Sequence, residues 1–157
     1  MPRRPRLFIP GQPQHVVARG HNRSPIVNGT VDCTAFVKCL RTAVSRYDIA
    51  LHAWVLMTNH IHLLLTPGGK AELPGAMQWL GSHYGRYFNE RYQRRGALWE
   101  GRYRSSLVDS ERYLLLMLSL CGNEPCARGD RRIAGRLSLV QLQGEWVGRG
   151  RSCCFDP

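Results

Sequence analysis

Trp54-Val-Leu-Met-Thr-Asn-His-Ile-His-Leu-Leu-Leu65 decides the reading of this chain. Ile49 to Met57 is predicted as one strand and His60 to Leu65 as another. Thr58-Asn59 lies between them at hairpin spacing. On a strand, residues i and i+2 project to the same face, so His60 and His62 stand side by side on one sheet surface. Two imidazoles fixed in this way can hold a divalent metal, given a third ligand from a neighbouring element. A metal there would polarise a phosphate and neutralise charge as it develops. The same pair also reads as two partly exposed strand histidines, and a lone His-x-His does not choose between the two.

Outward from this hairpin, Gln14-His-Val-Val-Ala-Arg19 alternates as a strand, and Gly20 to Pro25 is a polar turn. A helix is predicted over roughly 33–47, with Thr30 or Asp32 as its cap and Phe36, Val37, Leu40, Ala43 and Val44 on its apolar side. Pro67-Gly68-Gly69 breaks the chain. A second helix runs from about Leu73 to Tyr92, with Met77, Leu80, Tyr84, Tyr87 and Phe88 at helical spacing. Tyr103 to Val108 forms a further strand, and a third helix starts near Glu111 behind a Ser110 cap. The order is that of an α+β, ferredoxin-like split βαβ plan: an antiparallel sheet with helices on one face and one extra helix.

The chain has 157 residues, which suits one hydrophobic core, behind a basic, extended arm over 1–13. No apolar run is long enough to span a membrane, and the apolar run after the basic start is too short for a signal peptide, so a cytoplasmic location is the expectation. The formal charge is +11, carried almost entirely by arginine, with Lys38 and Lys70 the only lysines. Guanidinium forks match phosphate geometry and guanine edges, so the charge points to nucleic acid. A basic composition inherited from an arginine-rich genome is the plainer account. The six cysteines lack the spacing of a zinc site or a disulfide framework and are expected as free thiols.

The text from Trp54 to Leu65 resembles the HUH motif of the single-tyrosine transposases, and within them the REP-associated tyrosine transposases. The family text there is usually Met-Pro-Asn-His-Val-His, and Thr58 takes the place of the proline. Arg3 to Gly11 is similar to the family's N-terminal entry, and Arg19-Gly-His-Asn-Arg23 to its Arg-Gly-Asn-Asn-Arg segment, with His21 a departure. Tyr87-Phe-Asn-Glu-Arg-Tyr92, Gly96 to Asp109 and Ser110 to Leu115 match further family segments, so the likeness covers roughly residues 1–116. The resemblance implies a ferredoxin-like domain over 14–116 that binds single-stranded DNA beside short hairpins, as a monomer or a homodimer. It implies metal-dependent nicking and rejoining through a 5′-phosphotyrosine, with His60 and His62 holding Mg²⁺ or Mn²⁺. A phenol is a poor nucleophile unless it is positioned and its target activated.

The nucleophile itself is missing. The resemblance places Leu120 at the tyrosine position and Glu124 at that of the third metal ligand. Codons for Met117 to Asp130 can be chosen so that dropping one base gives Cys-Tyr-Arg-Tyr-Val-Glu-Met-Asn-Pro-Val-Arg-Ala-Gly, the family's own motif. The same shift across Gly135 to Leu142 gives Gly-Asp-Tyr-Arg-Trp-Ser-Ser-Tyr, another family segment. Residues 117–157 are therefore expected to be frameshifted text that forms a poorly ordered tail, in a chain unable to cleave, with a naturally divergent C-terminus as the plainer alternative.

Candidate nucleic-acid contacts are Arg19, Asn22, Arg23, Asn59, Arg86, Asn89, Arg95, Trp99, Arg102 and Arg104. Arginines beside aromatic rings suit single strands, whose bases stack while their phosphates are neutralised. A solvated face for each arginine and a core anchor for Trp99 are the plainer readings. Two alternatives stand beside the cleavage-incompetent DNA-binding reading. One is an active transposase using another tyrosine, such as Tyr113. The other is an RNA-binding domain of similar topology, although the aromatic strand signature of such domains is absent from the sequence.

Overall fold

The computed structural model of the protein describes residues 8–108 and the backbone of Ile133–Arg136. The elements are β1 (Gln14–Arg19), a single 3-10 turn (His21–Arg23), α1 (Thr30–Arg46), β2 (Ile49–Leu56), β3 (His60–Pro67), α2 (Glu72–Arg91), β4 (Arg104–Leu107) and β5 (Ile133–Arg136). They form one antiparallel sheet in the order β4-β1-β3-β2-β5, with α1 and α2 sharing a core with one face of it. This is the α+β, split βαβ arrangement that the sequence pattern predicts. Among the described residues, no helix is long and apolar enough to cross a membrane. The third helix and most of the 117–157 tail lie outside the described residues. The exception is β5, a strand no pattern in the sequence foretold, which pairs with β2 from Ala53↔Arg136 to Leu56↔Ile133.

Alternation builds the sheet. Val16 and Ala18 of β1, Ile61, Leu63 and Leu65 of β3, and Ile49, Leu51 and Leu56 of β2 join one core with Phe36 and Leu40 of α1 and Leu80, Tyr84 and Phe88 of α2. A register shift between Leu51 and Ala53 sends Ala53 to the other face, where it meets Leu64 and Val108 in a small second cluster. That other face carries no described helix, and it is the one on which His60 and His62 stand.

The capping expectation for α1 needs correction. Its N-cap is Gly29, which makes no side-chain cap bond. Thr30 and Asp32 are already inside the helix. Asp32 instead reaches back from the first turn to accept the Asn28 N–H at 2.8 Å. It also accepts the hydroxyls of Tyr87 at 3.1 Å and Tyr92 at 2.6 Å and pairs with Arg91 Nε at 3.3 Å. Fully buried, this carboxylate ties the segment entering α1 to the end of α2.

Candidate metal and nucleic-acid site

β3 delivers His60 and His62 to the open face, with ring centroids 5.0 Å apart and the rings edge to face. The two-residue spacing does this, because Ile61 between them is turned into the core and is fully buried. Each ring is held through Nδ1. His60 Nδ1 lies 2.7 Å from Asn59 Oδ1, and Asn59 Nδ2 in turn donates to the Arg23 carbonyl at 3.2 Å. His62 Nδ1 lies 2.9 Å from Nε2 of His15 on the neighbouring strand β1. Each Nδ1 is thus engaged, and Nε2 is the nitrogen through which either ring would hold a ligand.

Electrostatics suit the same use. Burial, and then the nearby His60, His15 and Arg19, hold the His62 pKa down at about 4. The imidazole is thus neutral at physiological pH and needs to lose no proton to bind a cation. His15 and His52 are also lowered by burial, and His52 Nε2 lies 2.7 Å from Thr66 Oγ1 on the same face. Among the described residues no third His, Cys, Asp or Glu completes a metal-binding group. The donor set fits a cation held by two imidazole nitrogens and otherwise by water or phosphate oxygen. Leu120 and Glu124 lie outside the described residues.

The structure divides the predicted nucleic-acid contacts into two groups. Arg19 pairs in register with His60, and Arg104 with Val17, so both side chains leave from the face that carries the histidines, and both are exposed. Asn22 and Arg23 are exposed on the 3-10 turn, both at positive φ, 53° and 58°. That turn is laced to the tip of the hairpin, where Gly20 N–H donates to the Asn59 carbonyl at 2.8 Å and Ile26 N–H to that of Thr58 at 2.7 Å. The segment before Arg102 joins the same end, through His21 N–H to the Leu98 carbonyl and Glu100 N–H to that of Arg19, both 2.8 Å. Arg19, Asn22, Arg23, Asn59 and exposed Arg102 thus gather beside His60.

Arg86, Asn89 and Arg95 belong instead to α2 and the turn after it, on the helix side of the sheet. Arg86 is exposed, while Asn89 Nδ2 donates to the Gly96 carbonyl at 2.8 Å and braces the turn. Trp99 serves as a packing anchor: its indole N–H donates to the Gly81 carbonyl at 3.1 Å, and its ring lies beside Tyr84. Asn59, expected at DNA, is spent on orienting His60. Tyr84 is fully buried and donates to the Ile26 carbonyl at 2.6 Å, and burial drives its pKa far up. With Tyr87 and Tyr92 held by Asp32, these three hydroxyls sit on the helix side, away from His60 and His62.

Sequence reasoning missed His15. The alternation of β1 puts it on one face with Val17 and Arg19, but its contact with His62 depends on a strand register 47 residues away in sequence.

Comparison with known proteins follows the same lines. The family model described as "Transposase IS200 like" matches residues 11–117. A search of curated proteins returns no match. Among solved structures, the REP-associated tyrosine transposase bound to a REP hairpin is similar at a TM-score of 0.60 and 15% identity, over 76% of this chain and 69% of that one. A candidate transposase from Deinococcus radiodurans R1 is similar at a TM-score of 0.52 and 18% identity, over 75% of this chain and 95% of that one. At such identities these two likenesses speak for the fold, whereas the family match spans well over half the sequence and meets it at the His60–His62 hairpin: the chain belongs to the IS200-like, HUH single-tyrosine transposases.

Proposed function

We propose that this protein is a REP-associated type of transposase that binds single-stranded DNA beside short hairpins and, as its sequence stands, does not cut it. The observation that carries the binding half is the gathering of Arg19, Asn22, Arg23 and Arg102 at the sheet end that holds His60. Cationic forks around a two-imidazole site suit a phosphodiester drawn across the open face. The hairpin in the similar REP-associated structure supports the choice of DNA, and family membership favours DNA over RNA.

His60 and His62 are the residues that would hold Mg²⁺ or Mn²⁺. When bound, a divalent cation supplies Lewis acidity at the scissile phosphate. The chain's own part is to orient both rings through Asn59 and His15, keep His62 neutral, and neutralise phosphate charge with Arg19 and Arg104. The nucleophile is absent because Leu120 stands where the family has tyrosine, and we read residues 117–157 as the product of a one-base frame change. A cytoplasmic location and a monomeric or homodimeric state belong to the same reading.

The deciding experiment compares the full chain with one whose frame is restored at codon 117. Both are incubated with labelled, hairpin-flanked single-stranded DNA and Mn²⁺. Both should retard the DNA on a native gel, and only the restored chain should form a covalent adduct that survives denaturing electrophoresis. An adduct formed by the present chain overturns the inactivity, and failure of both chains to bind overturns the DNA reading.

A further inference from the structure

We infer that His15 is a positioning residue for the metal site: by accepting the Nδ1–H of His62, it fixes the tautomer in which His62 Nε2 can bind a cation. The inference deepens the reading of His60 and His62 as metal ligands and rests on it. His15 lies on a different strand from the His60–His62 pair and outside the motif.

The geometry is specific. In register His15 faces Leu64, and Val17 faces His62. His15 thus reaches His62 along the diagonal between antiparallel neighbours, a distance that long or aromatic side chains span. Its Nε2 comes within 2.9 Å of His62 Nδ1, and the two rings lie 9° from parallel with centroids 5.1 Å apart. A neutral imidazole carries its proton on one nitrogen and its lone pair on the other. Two facing nitrogens at this distance must therefore be one donor and one acceptor. If His15 donated, His62 would carry its proton on Nε2, and its lone pair would point into His15. If His62 donates, its lone pair lies on Nε2, on the edge turned away from His15.

The neighbouring ligand is oriented in the same way. The Asn59 amide nitrogen is committed to the Arg23 carbonyl, so Oδ1 faces His60 Nδ1 as an acceptor. His60 must then donate from Nδ1 and ligate through Nε2. A pair of imidazoles presenting matching nitrogens needs an acceptor behind each, and His15 is the one behind His62. Such outer partners set ring orientation and ligand basicity. A simple packing role for His15 would require its shape and not its lone pair.

Two variants separate the roles. His15→Phe keeps a flat ring and removes the acceptor, whereas His15→Gln supplies a carbonyl acceptor without the ring. The full chain, labelled with ¹⁵N-histidine and free of metal, is examined by NMR for the tautomer of His62. Mn²⁺ binding is measured in parallel by titration calorimetry, with circular dichroism to check the fold. The wild-type chain should show the Nδ1–H form of His62, His15→Phe should lose that preference, and His15→Gln should keep it. Mn²⁺ affinity should fall about 10- to 100-fold in His15→Phe and largely return in His15→Gln. An Nε2–H tautomer in the wild-type chain overturns the inference, even should His15→Phe fail to fold. Equal loss in both variants also overturns it. A wild-type chain that holds the Nδ1–H tautomer but binds no Mn²⁺ overturns the metal reading instead and leaves the assignment of His15 as acceptor standing.

Discussion

The hydroxyl of Tyr92 donates to Oδ2 of Asp32 over 2.6 Å, joining the residue that closes α2 to the first turn of α1. Asp32 is wholly buried, and Tyr87, Arg91 and the Asn28 N–H share its two oxygens. Asp32→Ala leaves these donors without their acceptor. Unmet buried donors are costly, and the loss should be about 2–4 kcal/mol of unfolding free energy. Asp32→Asn keeps one acceptor and should lose less. Urea unfolding of the two variants checks the order, and an Asp32→Ala midpoint equal to wild type would show that the hub contributes nothing.

The turn beside the site makes a sharper demand. A Cβ added at Gly20 would collide with the carbonyl oxygen of Ser24, and would lie 2.9 Å from Cγ2 of Ile26. Backbone cannot yield as a flexible side chain does. Gly20→Ala should cost about 1–3 kcal/mol, as overpacking does, and should displace the 3-10 turn that presents Asn22 and Arg23. The expected result is a lowered thermal midpoint together with weaker DNA binding. Loss of neither would show that the turn relaxes freely.

Acid should loosen the metal-free fold. Burial lowers the pKa of His15, His52 and His62, the last from 6.5 to about 4. The unfolded chain therefore takes up protons that the folded chain refuses, and stability rises with pH across that window. The contribution is complete above pH 6.5 and is lost as pH falls toward 4. Half-exposed rings are partly screened by water, which tempers the effect. The urea midpoint at pH 5 should lie below that at pH 7.5, and His52→Gln should narrow the gap. A midpoint that stays level between the two would contradict the depressed pKa values.

Much of this is legible in the sequence. The His60–His62 spacing put both rings on one face because strand geometry has period two, and β1 matched Gln14 to Arg19 residue for residue. The split βαβ order followed from turn residues such as Pro67-Gly68-Gly69. What stayed hidden depends on pairing between distant segments. His15 meets His62 only through antiparallel register, and Asp32 looked like a cap until Tyr87 and Tyr92 came back to it from α2. Trp99 carried two readings in the sequence, nucleic-acid contact and core anchor, and only the fold shows its N–H donating to the Gly81 carbonyl. The bulge after Leu51 moved Ala53 to the open face without any glycine or proline to announce it.

Removal of a ligand should exceed removal of its support. His60→Ala and His62→Ala should each weaken Mn²⁺ binding by more than about 100-fold, beyond the range expected for an outer partner. Neither ring is fully buried, so the fold should survive both changes. Calorimetric titration of the full chain checks this, and unchanged affinity in either variant would remove that histidine from the site.

The two groups of arginines separate two paths for the nucleic acid. Arg19 and Arg104 share the open face with His60 and His62, whereas Arg86 is exposed on α2, on the other side of the sheet. A strand lying across the histidines must pass the first two and miss the third. Each phosphate contact releases condensed counterion, so the slope of log affinity against log salt counts contacts, at about 0.7 per phosphate for a single strand. Arg19→Ala and Arg104→Ala should each weaken binding and lower that slope by about one contact, uniformly across sequences. Arg86→Ala should leave both quantities near wild type. Fluorescence anisotropy over a series of salt concentrations reads the slope directly. The reverse order, with Arg86→Ala the damaging change, would move the DNA from the open sheet face to the helices and separate binding from the histidine pair.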